Sequence, residues 1–302
     1  METDRSYDVA VVGAGAAGLQ AALTLGRMRR RVVLFGTDRC RNDPAEHVHN
    51  FLGHDGTPPA DLRAAARKDL EQYETVEMVE REVARIAGEL DDFRLEVDGF
   101  PSVQARRVIL ATGVTDELPD VPGVAEQFGR HVAHCPYCHG YEYRDRPIGI
   151  LGPGSHVAPQ SRLLERLATP VVVLMNGAEP DEAITTAAAE IGALVVTEEL
   201  ERVESGDRGL RVVLRGREPV DLGGLFVHPV WRQAAPFAEQ LGLETGDLGG
   251  IRLDSEGATS KPGVYAAGDL AHHRDLPMPV ASVLTAAAAG LVAAASCDAD
   301  LL

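Results

Sequence analysis

Apolar positions along the chain fall first into short unbroken runs. Tyr7 to Val12 (YDVAVV), Arg31 to Phe35, Pro147 to Leu151 and Pro170 to Met175 each read as a strand covered on both faces, the pattern of a parallel sheet. Between Val76 and Val108 the pattern breaks into short strands with turns, including Phe93 to Val97 and Val103 to Leu110. A second strand-rich piece runs from Ala193 to Val227 around a turn at Ser205-Gly206-Asp207. Helices are expected in the Ala/Leu-rich stretch that ends at Arg30 and from Pro59 to about Tyr73, where proline suits a first turn. A third is expected from Val280 to Ala295. The chain is therefore of the α/β class.

The turn after the first run carries the most chemistry. Gly13-Ala14-Gly15-Ala16-Ala17-Gly18 stands between a buried strand and a helix. Gly13 permits the tight turn, Gly15 lets backbone approach a pyrophosphate and Gly18 lets helix pack on strand, with Ala16 and Ala17 opening the helix whose N-terminus faces the phosphates. An acid for the ribose hydroxyls is expected at the end of the next strand, but Gly36 stands there and Asp38 is the nearest substitute. A polar, irregular loop follows, in which Arg41, Asn42 and Asn50 are candidate cofactor contacts. Ala111-Thr112-Gly113 closes the next segment. Val264 to Asp269 reads as a strand ending in Gly268-Asp269, and Asp269 there can accept from a ribityl hydroxyl.

The run 147–151 leads into Gly152-Pro153-Gly154-Ser155-His156-Val157, a second fingerprint with Val157 where glycine or alanine belongs. Its partner strand is followed by Asn176-Gly177, with no arginine for a 2′-phosphate and no acid for a ribose. This reads as a nucleotide-type lobe whose site has decayed.

Composition narrows the chemistry. The chain has 302 residues, room for two ordinary domains, and a formal net charge of −17 that disfavours nucleic acid and anionic lipid. No run of eighteen apolar residues spans a membrane, and Met1-Glu2-Thr3-Asp4 has no basic n-region, so a cytoplasmic setting is expected. Of four cysteines, Cys135 and Cys138 form a Cys-x-x-Cys pair in His134-Cys135-Pro136-Tyr137-Cys138-His139-Gly140. In a reducing compartment such a pair is usually catalytic. A zinc site would need His131, His134 or His139 to complete the ligands, since no second Cys-x-x-Cys exists; no metal is expected. Cys40 and Cys297 are expected to be spectators.

Four motifs stand in a familiar order: GAGAAG at 13–18, ATG at 111–113, CPYC at 135–138 and YAAGD at 265–269. The chain resembles the low-molecular-weight thioredoxin reductase family of flavoproteins over nearly its whole length. That resemblance implies FAD, a homodimer and two Rossmann-like domains of three-layer ββα type. The FAD domain would be discontinuous (1–115 and 240–302), with a domain carrying the cysteine pair (116–239) inserted. Within the family, Cys-Pro-Tyr-Cys-His-Gly-Tyr-Glu is most similar to the dithiol oxidases of gliotoxin and holomycin pathways, which close disulfides in small natural products and pass electrons to oxygen. Thioredoxin reductases usually carry Asp where this chain has His139, and His-Arg-Arg where it has Met175-Asn176-Gly177. Their Arg-Gln-Ala segment after Gly-Asp is replaced by Pro279 to Val283, which leaves the flavin-ring contacts there unassigned.

The motif and the resemblance together imply a sequence of events. A thiolate of a small dithiol attacks Cys135, the second substrate thiolate resolves the mixed disulfide, and Cys138 passes the electrons to FAD, which molecular oxygen reoxidises to give hydrogen peroxide. His139 is the candidate base; His134 is a weaker one, and His272 and His273 fit a solvent-facing loop or the substrate entrance. Two other functions compete: an NADPH-dependent reductase of a thioredoxin-like protein, and a non-catalytic flavoprotein that binds a partner. The damaged second fingerprint disfavours the first and the intact cysteine pair the second.

Overall fold

The computed structural model describes residues 5–276 and 280–302. Residues 1–4 and 277–279, including Pro279 of the segment 279–283, lie outside the described residues. The chain divides into two compact units. One comprises 1–41, 59–115 and 231–302, the other 42–58 and 116–230.

The first unit is built on a sheet whose strands are β1 (Arg5–Val12), β2 (Val32–Phe35), β3 (Val76–Val79), β4 (Val83–Glu89), β5 (Asp92–Val97) and β6 (Phe100–Leu110), joined by Val264–Ala266. Their order is β3-β2-β1-β6-β5-β4, and Val264–Ala266 also pairs with β6. β1 runs parallel to β2 and β6, and Val264–Ala266 runs parallel to the last residues of β6. β5 is antiparallel to the first half of β6. One long strand thus serves a parallel sheet at one end and a β-layer at the other.

The unbroken apolar runs follow from cover on both faces. Val9, Val11, Val32, Leu34 and Ile109 pack against helix α1 (Ala16–Arg27) and the alanine-rich helix Val283–Ala299. Their neighbours Ala10, Val12, Val33, Phe35 and Leu110 pack against Ile86, Phe93 and Leu95 of the β-layer. This is the expected three-layer ββα arrangement. The alanine-rich helix begins at Val283, later than the sequence suggested, because Ser282 caps it by accepting from the Thr285 amide at 3.1 Å. It runs on to Ala299, past the expected end at Ala295. The buried Arg107 of β6 reaches Asp300 just beyond that helix at 2.6 Å and Asp91 at 2.7 Å, so its charge is paired on both sides.

The second unit repeats the scheme. Its parallel sheet has the order Leu194–Val196, Val171–Leu174, Ile148–Leu151, Gly224–Phe226, Val132–Ala133. Helices Val157–Leu164 and Glu182–Ile191 contribute Val157, Leu164 and Ile184 to the core against one face. An antiparallel three-stranded layer (Leu200–Gly206, Gly209–Leu214, Arg217–Leu222) covers the other through Val203, Leu210 and Val212. No described helix is long and apolar enough to cross a membrane.

The chain passes between the units at 41/42, 58/59, 115/116 and 230/231, so the expected break at 239/240 falls earlier and 42–58 is an added piece. Residues 231–239 group with the first unit because Phe237 enters its core and Gln233 donates to the Leu270 carbonyl at 2.8 Å. Residues 42–58 group with the second because Gly129 packs directly on Pro44 and Glu46 lies 3.4 Å from Arg130. Neither link joins sequence neighbours, so neither has a local signature.

Close packing of α1 on the alanine-rich helix rests on Gly290. A Cβ there would lie 2.9 Å from the Ala17 carbonyl carbon. Gly290→Val should lower stability by about 1–3 kcal/mol, the usual cost of overpacking, read as an earlier midpoint in urea unfolding.

Candidate active site

The C-terminal ends of β1, β2, β6 and Val264–Ala266 come together at four turns. The Gly13 amide donates to Phe35 at 2.7 Å, Ala111 to Val12 at 2.7 Å, and Ala267 to Leu110 at 2.9 Å. Gly13 has φ +116°, a conformation that needs glycine. Gly18 sits so close to Gly13 that a Cβ would penetrate its carbonyl. Gly15 differs: a Cβ there would meet no protein atom within 4 Å. Its open cradle lies at the start of α1, which has neither a side-chain cap nor an acid in its first turn. Unclaimed amides at a helix start beside open space fit a pyrophosphate.

Gly36 explains the missing ribose acid. A Cβ there would lie 2.7 Å from the Ala14 amide nitrogen, so the fingerprint turn itself excludes any side chain at that strand end. Asp38 lies outside this contact, 80% exposed and paired with Arg67 at 2.8 Å. Arg41 Nη1 donates to Asp269 at 2.7 Å while its guanidinium lies over the Trp231 ring at 4.7 Å. The lone tryptophan thus positions a cation beside the expected ribityl-binding carboxylate. Ala111, Thr112, Gly113 and Gly268 all lie on this unit, where a Cβ at Gly268 would meet Ala17 at 3.1 Å. Asn42 and Asn50 belong to the other unit.

On the second unit Cys135 and Cys138 are disulfide-bonded, with Cα atoms 5.3 Å apart. Pro136 opens the short helix Pro136–His139, and the Cys138 and His139 amides both donate to the Cys135 carbonyl. Both cysteines are half-buried, whereas Tyr137 between them is exposed. His139 is stacked on Tyr143 at 6.3 Å. Its Nδ1 is buried with no hydrogen-bond partner, and the Gly129 carbonyl favours the protonated ring. Burial holds His139 below the usual histidine range, opposed by the Glu142 carboxylate. The neutral ring therefore offers an unoccupied lone pair at Nδ1. His134 stacks on Phe128 at 6.0 Å. His272 and His273 belong to the strand Ala271–His273 rather than to a loop. Cys297 is fully buried, with its thiol pushed up to about 12, so it stays protonated and unreactive.

The second fingerprint is filled by its own residues. The His156 ring folds over Gly154, where a Cβ would lie 2.6 Å from His156 Nδ1. It stacks on His228 at 4.7 Å and bonds through Nε2 to the Leu151 carbonyl at 3.0 Å. Beyond the partner strand, Asn176 accepts from the Leu200 amide at 2.9 Å, and Glu199 lies against Gly177. An acid therefore occupies the edge where a 2′-phosphate would need a cation. The sequence signal for His156 was its place inside the fingerprint; His228 had none.

The sequence matches the pyridine nucleotide-disulphide oxidoreductase family over residues 7–290. The chain belongs to that family. It is 32% identical over 286 residues to the thioredoxin reductase tcpT of Claviceps purpurea, covering 89% of this chain and 88% of that protein. A probable thioredoxin reductase of Arthroderma benhamiae is 37% identical over 182 residues, which span 58% of this chain but 45% of that protein. The crystal structure of HlmI superposes with a TM-score of 0.87 at 36% identity, covering 98% of this chain and 92% of that one. This member is an FAD-binding, thioredoxin reductase-like disulfide oxidoreductase.

The Gly15 cradle separates folding from cofactor binding. Gly15→Ala should fold normally, since a Cβ there meets no protein atom within 4 Å, yet should purify with less FAD. The 450 nm to 280 nm absorbance ratio and thermal unfolding together check this; full FAD occupancy would place the pyrophosphate elsewhere.

Proposed function

We propose that this chain is a dithiol oxidase that closes an intramolecular disulfide in a small, natural-product-like dithiol. The observation that carries this reading is the contrast between the two glycine turns. One is an open cradle at Gly15, the other is filled by His156 against His228 with Glu199 beyond it. Both sides of the cysteine pair's redox cycle must then be served without NADPH.

A substrate thiolate attacks Cys135 Sγ, the enzyme disulfide breaks, and Cys138 leaves as a thiolate. The second substrate thiolate attacks the substrate sulfur of this mixed disulfide, forming the product disulfide and releasing Cys135. Two electrons pass to the cysteine pair and two protons leave the substrate. His139 Nδ1 accepts a proton from a substrate thiol. The chemistry FAD supplies when bound is a two-electron sink that dioxygen empties as hydrogen peroxide. Gly13, Gly15 and Gly18 would hold its pyrophosphate, and Arg41 and Asp269 its polar chain.

The experiment is anaerobic reduction of the FAD-loaded protein, followed by absorbance. Dithiothreitol should bleach the flavin, and NADPH should do so poorly, because no cation meets the 2′-phosphate. Rapid stoichiometric reduction by micromolar NADPH would instead establish a reductase, the activity that the names of the fungal relatives carry.

His139→Ala should slow reduction by dithiothreitol by roughly 10²–10⁴-fold while FAD is retained. Its activity should partly return at high pH, where solvent deprotonates the thiols. In the wild type the neutral imidazole is the active form, so the rate should fall as pH drops through the His139 titration, which burial holds below the usual histidine range. Stopped-flow absorbance across pH 5–9 measures both.

A further inference from the structure

The chain re-enters the first unit at Trp231, and its first four residues there are tied to three separate turns. The Trp231 ring lies against the Arg41 guanidinium at 4.7 Å. Gln233 Nε2 donates to the Leu270 carbonyl and to the Gly249 carbonyl, each at 2.8 Å. The Ala234 amide donates to the Gly113 carbonyl at 3.2 Å. One short segment thus grips the loop after β2, the turn after β6 and the turn after Val264–Ala266. Those are the places where Arg41, Ala111-Thr112-Gly113 and Gly268-Asp269 stand.

We propose that 231–234 is a strap that governs how long FAD stays bound, with Trp231 and Gln233 as its positioning residues. Trp231 holds Arg41 in the orientation that meets Asp269, and Gln233 holds the backbone of the turn that carries Asp269. This rests on the placing of Arg41 and Asp269 at the cofactor's polar chain, and not on the choice between oxidase and reductase.

The side chains of Arg41 and Asp269 are only 15% and 21% exposed. A guanidinium drawn that far from water needs its charge met by more than one group. Its Nη1 meets Asp269 Oδ2 at 2.7 Å, and the indole face meets the flat of the group. A guanidinium can stack by its face while donating from its edge, which an ammonium cannot. A carboxylate fixed at one oxygen by such a cation presents its other oxygen in a set direction, which suits a ribityl hydroxyl. Trp231 also packs on the core of the unit, yet an aliphatic side chain would fill that space without holding a cation. The two Gln233 bonds use both hydrogens of one amide. A side chain of similar length without them would release Gly249 and Leu270, the neighbour of Asp269, together.

The measurement is FAD release from the loaded, full-length protein, followed as free-flavin fluorescence after dilution, with urea unfolding alongside. Trp231→Leu should speed release by roughly three- to thirtyfold, the range of a partly desolvated cation–π contact, and Trp231→Phe by less. In an Arg41→Gln background neither change at Trp231 should add anything further, because the cation it holds is gone. Gln233→Met should likewise speed release on its own and add little in an Asp269→Asn background. Trp231→Phe carries the same comparison where Trp231→Leu does not accumulate as folded protein. A tryptophan that only fills the core would multiply its effect with that of Arg41→Gln, or would lower the urea midpoint and leave release unchanged. Either result overturns the proposal. Should Arg41→Gln and Asp269→Asn themselves release FAD at the wild-type rate, the placing of these residues at the cofactor fails and the strap falls with it. If they speed release and Trp231→Leu does not, the placing stands and the strap alone is refuted.

Discussion

The structure of the first unit depends on how closely backbone can approach backbone at the end of β1. Gly13 must take a left-handed turn, and Gly18 must let α1 come down onto the Gly13 carbonyl. Once these contacts are made, the amides at the start of α1 have a fixed direction and the space in front of Gly15 is left open. Gly36 belongs to the same constraint, because a side chain there would push the turn away from β2. The ribose acid is therefore absent for a steric reason: this turn packs one step closer to the second strand than an acid allows.

The second unit keeps the same strand–turn–helix plan, but its own side chains occupy the turn. The sheet and helices are intact, because they are stabilised by their own apolar faces, each buried valine or leucine contributing about 1.5–3 kcal/mol. The turn needs no ligand to be stable, but its polar groups still need partners. His156 supplies them, donating through Nε2 to the Leu151 carbonyl and covering Gly154, and His228 stacks on its ring.

The sequence exposed the strands, both glycine turns and the cysteine pair, because each depends on neighbours within a few residues. It also exposed the three-layer scheme, since strands covered on both faces leave unbroken apolar runs. It did not expose what depends on distant contacts. The membership of 42–58 in the second unit rests on Pro44 against Gly129, and that of Trp231 in the first on its stack with Arg41. Glu142 stood inside a stretch already singled out, but the approach of His49 to it depends on the loop 47–57 and has no local signature. Asp38, chosen as the nearest acid to a strand end, is a surface residue paired with Arg67. Sequence distance was a poor guide to spatial distance there.

The protonation state of His139 bears on which direction of the exchange the site serves first. A free thiol has a pKa of about 8.5, so only a few per cent is thiolate at neutral pH. With the enzyme resting as the Cys135–Cys138 disulfide, the first chemical need is to take a proton from an incoming thiol. An acid at this position would serve the opposite need, protonating a departing thiolate after the enzyme dithiol has attacked an external disulfide. Of the influences on His139, burial is the largest and disfavours the charged ring, and Glu142 offsets it only in part. The imidazole is therefore held toward its neutral form, with Nδ1 buried and unpartnered. Microscopic reversibility lets the same ring work both ways once turnover begins. The form that waits for substrate is the one that accepts a proton, and that form matches the oxidation of a dithiol.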